Sequence, residues 1–140
     1  MPQPYPKSLV PISSCPQTTY NELWFYSYCS MEDVVEINLC VDKTASHRPI
    51  VGMLLRYSNM HRACVGQFRL DWAHRPLQVN QAGRLHIGMK KTGKGHSYIA
   101  DININSPTDR GSTTQFDIPW NGILEWSFSH RQCVLYYNSN

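Results

Sequence analysis

The chain is poor in charge. Asp, Glu, Lys and Arg make up 16% of its 140 residues, against about 25% in an average domain. That excludes a highly charged disordered tail and a coiled coil, both of which need dense charge. Helix formers are scarce as well. Ala, Glu and Lys together number 14, while Val, Ile, Thr, Tyr, Phe and Trp together number 40, so the composition favours pleated strands. Long apolar runs are missing. Stretches such as Ile50–Leu55 fall far short of the ~20 residues a helical membrane span needs. The opening MPQPYPKSLVPISSCP has no continuous apolar run and makes a poor signal peptide. No CxxC or CxC pair occurs among the five cysteines, Cys15, Cys29, Cys40, Cys64 and Cys133. An odd, unpaired set argues against a structural zinc site and against a disulfide scaffold, and favours buried free thiols. With no Asn-x-Ser/Thr acceptor, these absences lead to an expectation of an intracellular, cytoplasmic protein. The net charge of +3 is too small to imply nucleic acid as a partner.

What is present reads as one all-β domain. Residues 1–20 form a Pro-rich arm, and residues 21–140 carry the strands. About nine are expected: Leu23–Tyr28, Val34–Val41, Ile50–Tyr57, Arg62–Leu70, Arg84–Met89, Ser97–Ile104, Thr114–Ile118, Gly122–Phe128 and Gln132–Tyr137. Alternation places Val35, Ile37, Leu39 and Val41 on one face, Tyr98, Ala100, Ile102 and Ile104 on another, and Leu124, Trp126 and Phe128 opposite Glu125 and Ser127. Thr44–Pro49, Asp71–Gly83 and Asn105–Ser112 read as loops. Two stretches share a pattern: Gly52–Val65 and Gly122–Val134 both begin Gly-x-Leu and end His-Arg-x-Cys-Val, with a poorer third copy from Gly83. Two copies imply paired hairpins in a sandwich. Three imply a β-prism or trefoil-like arrangement. An antiparallel sandwich or such a prism is the expected fold.

Few motifs carry chemistry. Gly88–Gly95 (G-M-K-K-T-G-K-G) mimics a phosphate loop, but Gly95 stands where a Ser or Thr hydroxyl should bind Mg²⁺, and a strand follows in place of a helix. It reads as a hairpin tip, with Arg84, Lys90, Lys91 and Lys94 as a small basic surface. The six histidines, His47, His61, His74, His86, His96 and His130, show no H-x-H or H-x₃-H spacing, so no metal and no cofactor are expected. Four precede an Arg, and on a strand adjacent side chains point to opposite faces. Asp71-Trp72-Ala73-His74-Arg75 places a carboxylate, an indole and an imidazole in one loop. Asp117-Ile118-Pro119-Trp120-Asn121-Gly122 holds similar ingredients. Trp24 and Trp126 read as core. No G-x-S-x-G elbow is present. An Arg two residues from Cys64 and from Cys133 would lower a thiol pKa, though a buried core thiol fits both better.

Two resemblances rest on these residues. Val51–Asp71, together with Leu124–Val134, resembles a C-terminal module of uncharacterised filamentous-fungal proteins, which implies no particular activity. The G-M-L-L-R-Y-S hairpin with the later V-G-Q is similar to jacalin-type β-prism lectins, which implies a glycan ligand. The usual Gly-x-x-x-Asp sugar loop is absent, since the chain ends Tyr136-Tyr137-Asn138-Ser139-Asn140. The expectation is a non-catalytic module that binds a glycan or a protein segment through Trp72, His74, Trp120 and Asn121. The alternative is a small enzyme with His74 as general acid/base, oriented by Asp71.

Overall fold

The computed structural model describes residues 23–104 and 114–139. The Pro-rich arm, Cys15 and the Asn105–Ser112 loop lie outside them. Ten strands form among the described residues: β1 (Phe25–Ser30), β2 (Val34–Val41), β3 (Ile50–Tyr57), β4 (Arg62–Gly66), β5 (Leu77–Gln78), β6 (Arg84–Lys91), β7 (Ser97–Asn103), β8 (Thr114–Pro119), β9 (Ile123–Phe128) and β10 (Cys133–Asn138). All pairings are antiparallel. One sheet has the order β1-β9-β10, the other β5-β2-β3-β7-β6-β8 with β4 beside β3. The architecture is an all-β sandwich of two unequal sheets. The nine expected strands are all present. The tenth, β5, is two residues inside a segment read as a loop, held to β2 by Leu77 opposite Ile37 and Gln78 opposite Glu36. No helix among the described residues is long and apolar enough to cross a membrane.

The core lies between the sheets. Met31, Ile37, Met53, Leu55, Leu85, Ile87, Ile99, Leu124 and Trp126 are fully buried there. Each such side chain contributes about 1.5–3 kcal/mol relative to exposure. Two bulges shift the alternation that the sequence implies. In β2 the register slips between Val34 and Glu36, so Val34 and not Val35 enters the core. In β7 Asp101 faces Gly88 and Ile99 faces Met89, leaving Ala100 as the extra residue. Ile102 is buried as the alternation implies, but Ile99 joins it in place of Tyr98 and Ala100. β9 is central in its sheet and buried on both faces. Glu125 is fully buried, and its carboxylate accepts from Tyr26 Oη at 2.9 Å and from Asn138 Nδ2.

The two look-alike hairpins are not equivalent. Cys64 lies opposite Leu54, two residues past Gly52, whereas Cys133 lies opposite Phe128, six residues past Gly122. Cys64 is exposed and Cys133 is buried. The shared sequence pattern reflects what two amphipathic hairpins need, and no threefold repetition follows. The expectation of a buried Cys64 is corrected, because β4 is a short strand with that face open to solvent.

One feature of the larger sheet positions the candidate site. β3 changes partner along its length. At Ile50 it faces Ile99 of β7; from Gly52 onward it faces β4. β4 then leans on the smaller sheet, where Gly66 N donates to Ser27 Oγ at 2.9 Å. The larger sheet divides at this fork.

Candidate functional site

The residues singled out from the sequence do not converge. Trp72 sits in a 3₁₀ turn, Leu70–Trp72, packed on β2. The Arg69 guanidinium covers one ring face at 4.2 Å from the centroid. Asp71 does not orient His74. It is clamped by Arg69, through Nη2 to Oδ2 at 2.7 Å and Nε to Oδ1 at 3.1 Å. That bidentate bond to Arg69 holds its carboxyl below the usual range. His74 is exposed and tied to β2 only through its backbone: its N–H donates to Leu39 O at 2.8 Å, and its carbonyl accepts from Asn38 Nδ2 at 3.1 Å. Trp120 is 6% exposed and belongs to the core. The chain crosses there from β8 in one sheet to β9 in the other, and the indole plugs the crossover. It is not the surface platform that its loop position suggests. Asn121 is exposed, and Tyr137 Oη donates to its carbonyl at 2.9 Å and its Oδ1 at 3.0 Å. The phosphate-loop mimic is the end of β6 and a hairpin turn, closed by Thr92 N to His96 O at 2.9 Å.

The concave site lies elsewhere, at the fork. A cavity of about 510 Å³ opens where β3 leaves β7. Its floor is apolar: Ile50 and Val51 from β3, Ile99 from β7, Trp126 and Phe128 from β9, and Cys133 from β10. Three loops supply the rim. Asp42, Ala45 and His47 come from the β2–β3 connection, Thr92, Gly93, Lys94 and His96 from the β6–β7 turn, and Ser129, His130, Arg131 and Gln132 from the β9–β10 turn. Gln67, just past β4, closes one side. His130 and Arg131 both line the same cavity because residues 129–132 form a turn, where the opposite-face rule of strands does not apply.

Local chemistry fixes several of these groups. Asp42 accepts from Thr44 Oγ1 at 2.6 Å and Thr44 N at 2.9 Å, and the hydroxyl bond above all lowers its carboxyl pKa. The His47 ring meets Tyr98 edge-on, with centroids 4.5 Å apart. Phe128 is backed by Phe25, stacked at 5.3 Å. Burial raises the Cys133 thiol pKa well above its ordinary value, so the arginine two residues earlier does not activate it. Trp126 Nε1 has no acceptor among the described residues, and a Cβ placed on Gly66 would lie 2.9 Å from it. Among the described residues, no three His, Cys, Asp or Glu side chains gather as metal ligands.

Sequence reading missed this convergence. The six histidines were all visible, but which of them share one end of the sandwich depends on strand pairing. The available signal was that His47, His96 and His130 each fall in a short connection between two strands.

Comparison with protein-family models, curated proteins and solved structures finds no match to this chain.

Proposed function

We propose that the protein is a non-catalytic binding module whose ligand is a small, largely apolar molecule held in the cavity at the fork. The observation that carries this reading is the cavity itself. About 510 Å³ of space with a continuous apolar floor and a rim of polar turn residues matches the roughly 300–1,000 Å³ of small-molecule sites. The floor is built on strands of both sheets, so the site is pre-formed and costs little ordering on binding. A glycan fits less well, because stacking needs an open indole face. Arg69 covers one face of Trp72, and Trp120 is buried. Acid–base catalysis by His74 loses its orienting group, since Asp71 is clamped by Arg69.

N-Phenyl-1-naphthylamine, an uncharged fluorescent probe, tests the reading. It should bind saturably, one per chain, with enhanced emission. Ala45→Trp and Gly93→Trp place an indole at the rim and should weaken binding at least tenfold. Gly93 tolerates the change, since an added Cβ there meets nothing within 4 Å. Absent binding, or equal binding by both filled variants, refutes the proposal.

A further inference from the structure

The rim of this cavity differs from its floor in hydrogen-bonding character. Lys94 and the imidazoles of His47, His96 and His130 all bring N–H donors to it, from three separate loops. Among the described residues, none takes a hydrogen bond from the Lys94 ammonium or from the His96 and His130 rings. The one carboxylate on the rim, Asp42, already accepts two bonds from Thr44. Lys94 and Arg131 bring two cations to the rim against that single carboxylate. The lysine offsets the Asp42 charge even before any imidazole is protonated. A carboxylate is an acceptor-only group with several lone pairs, and it complements such a rim. Below it lie two half-buried flat rings, Phe128 and Tyr98. Flat rings of a ligand stack well on such surfaces.

Resting on the binding role proposed above, we infer that the ligand class is a flat aromatic acid. Its ring system lies against Phe128 and Tyr98, and its carboxylate points to Lys94 and the three histidines. The apolar body provides affinity through burial, and the anion provides orientation and discrimination.

An isosteric pair tests this. 2-Naphthoate and 2-naphthamide share size and shape, and only the first carries a charge. Each is titrated against bound N-phenyl-1-naphthylamine at pH 7 and low salt. The acid should displace the probe at roughly tenfold lower concentration, the usual worth of one charge-assisted hydrogen bond. Lys94→Gln, a change in an exposed turn, should cut that advantage to threefold or less while leaving displacement by the amide unchanged. Equal displacement by acid and amide overturns the anion inference and leaves the cavity reading intact. An advantage that survives both Lys94→Gln and His130→Gln overturns the assignment of the anion to this rim. Failure of the neutral probe to bind overturns the underlying reading and this inference together.

Discussion

Replacing glycines one at a time tests the fork directly, because three of them separate two costs. Gly66 ends β4 with φ +71°, and a Cβ there would overlap the Val51 carbonyl oxygen and lie 2.9 Å from the Trp126 indole. An L residue in that conformation costs about 1–2 kcal/mol. Forcing a methyl against a backbone carbonyl and a buried ring adds roughly 1–3 kcal/mol of overpacking. Gly66→Ala should thus cost about 2–5 kcal/mol, a large part of the ~5–15 kcal/mol that holds a domain together. Gly95 has φ +83° but open space around its Cβ position, so Gly95→Ala should cost only the conformational part, about 1–2 kcal/mol. Gly93 has neither a positive φ nor a neighbour within 4 Å. Gly93→Ala should be neutral or stabilise by up to ~1 kcal/mol, by restricting the unfolded chain. Urea titrations of all three variants, compared at equal m, give the differences. A Gly66→Ala cost no greater than that of Gly95→Ala refutes the close approach of β4, Val51 and Trp126.

Other expectations follow from burial. Trp120→Ala should cost about 3–5 kcal/mol, as for other buried aromatics, while Trp72→Ala in its half-buried turn should cost clearly less; a neutral Trp120→Ala would return that indole to the surface. Iodoacetamide at pH 7.5 should label Cys64 well before Cys29, Cys40 or Cys133, read by peptide mass mapping, because only Cys64 of these is exposed. Early labelling of Cys133 would contradict its burial. Burial pushes the Cys29 thiol up to about 12. A raised folded-state pKa stabilises fully below the unfolded thiol value, about 8.5, and that contribution is lost as pH rises toward 12. The free energy of unfolding should therefore fall with pH above about 8.5, and Cys29→Ala should remove up to ~1.4 kcal/mol per pH unit from that slope. An unchanged slope would mean the thiol is ionised in the fold.

Most of the strand content was legible from local pattern. Val34–Val41 and Ile50–Tyr57 have the bounds that alternation and flanking turn residues suggest. Reading failed at the bulges in β2 and β7, because one extra residue puts the positions before it out of phase with those after it and leaves no compositional mark. It failed at Trp120 for a different reason. Pro-Trp-Asn-Gly is turn chemistry, and a turn is normally exposed, but this one carries the chain between sheets and passes through the core. Glu125 shows the same limit, a charged side chain buried with tyrosine and asparagine partners that lie far from it in sequence.

The sequence by itself determined the fold class and the absence of a long apolar helix. Both depend on side-chain size, branching and period, which act over a few residues. Only the tertiary structure decided where a ligand would fit. The cavity exists because β3 gives up β7 for β4, and its rim exists because three hairpin connections meet at that end. Pairing between strands distant in sequence is set by the joint burial of all their apolar faces. No local segment encodes that arrangement, and so His47, Lys94, His96 and His130 look like ordinary turn residues until the chain is folded.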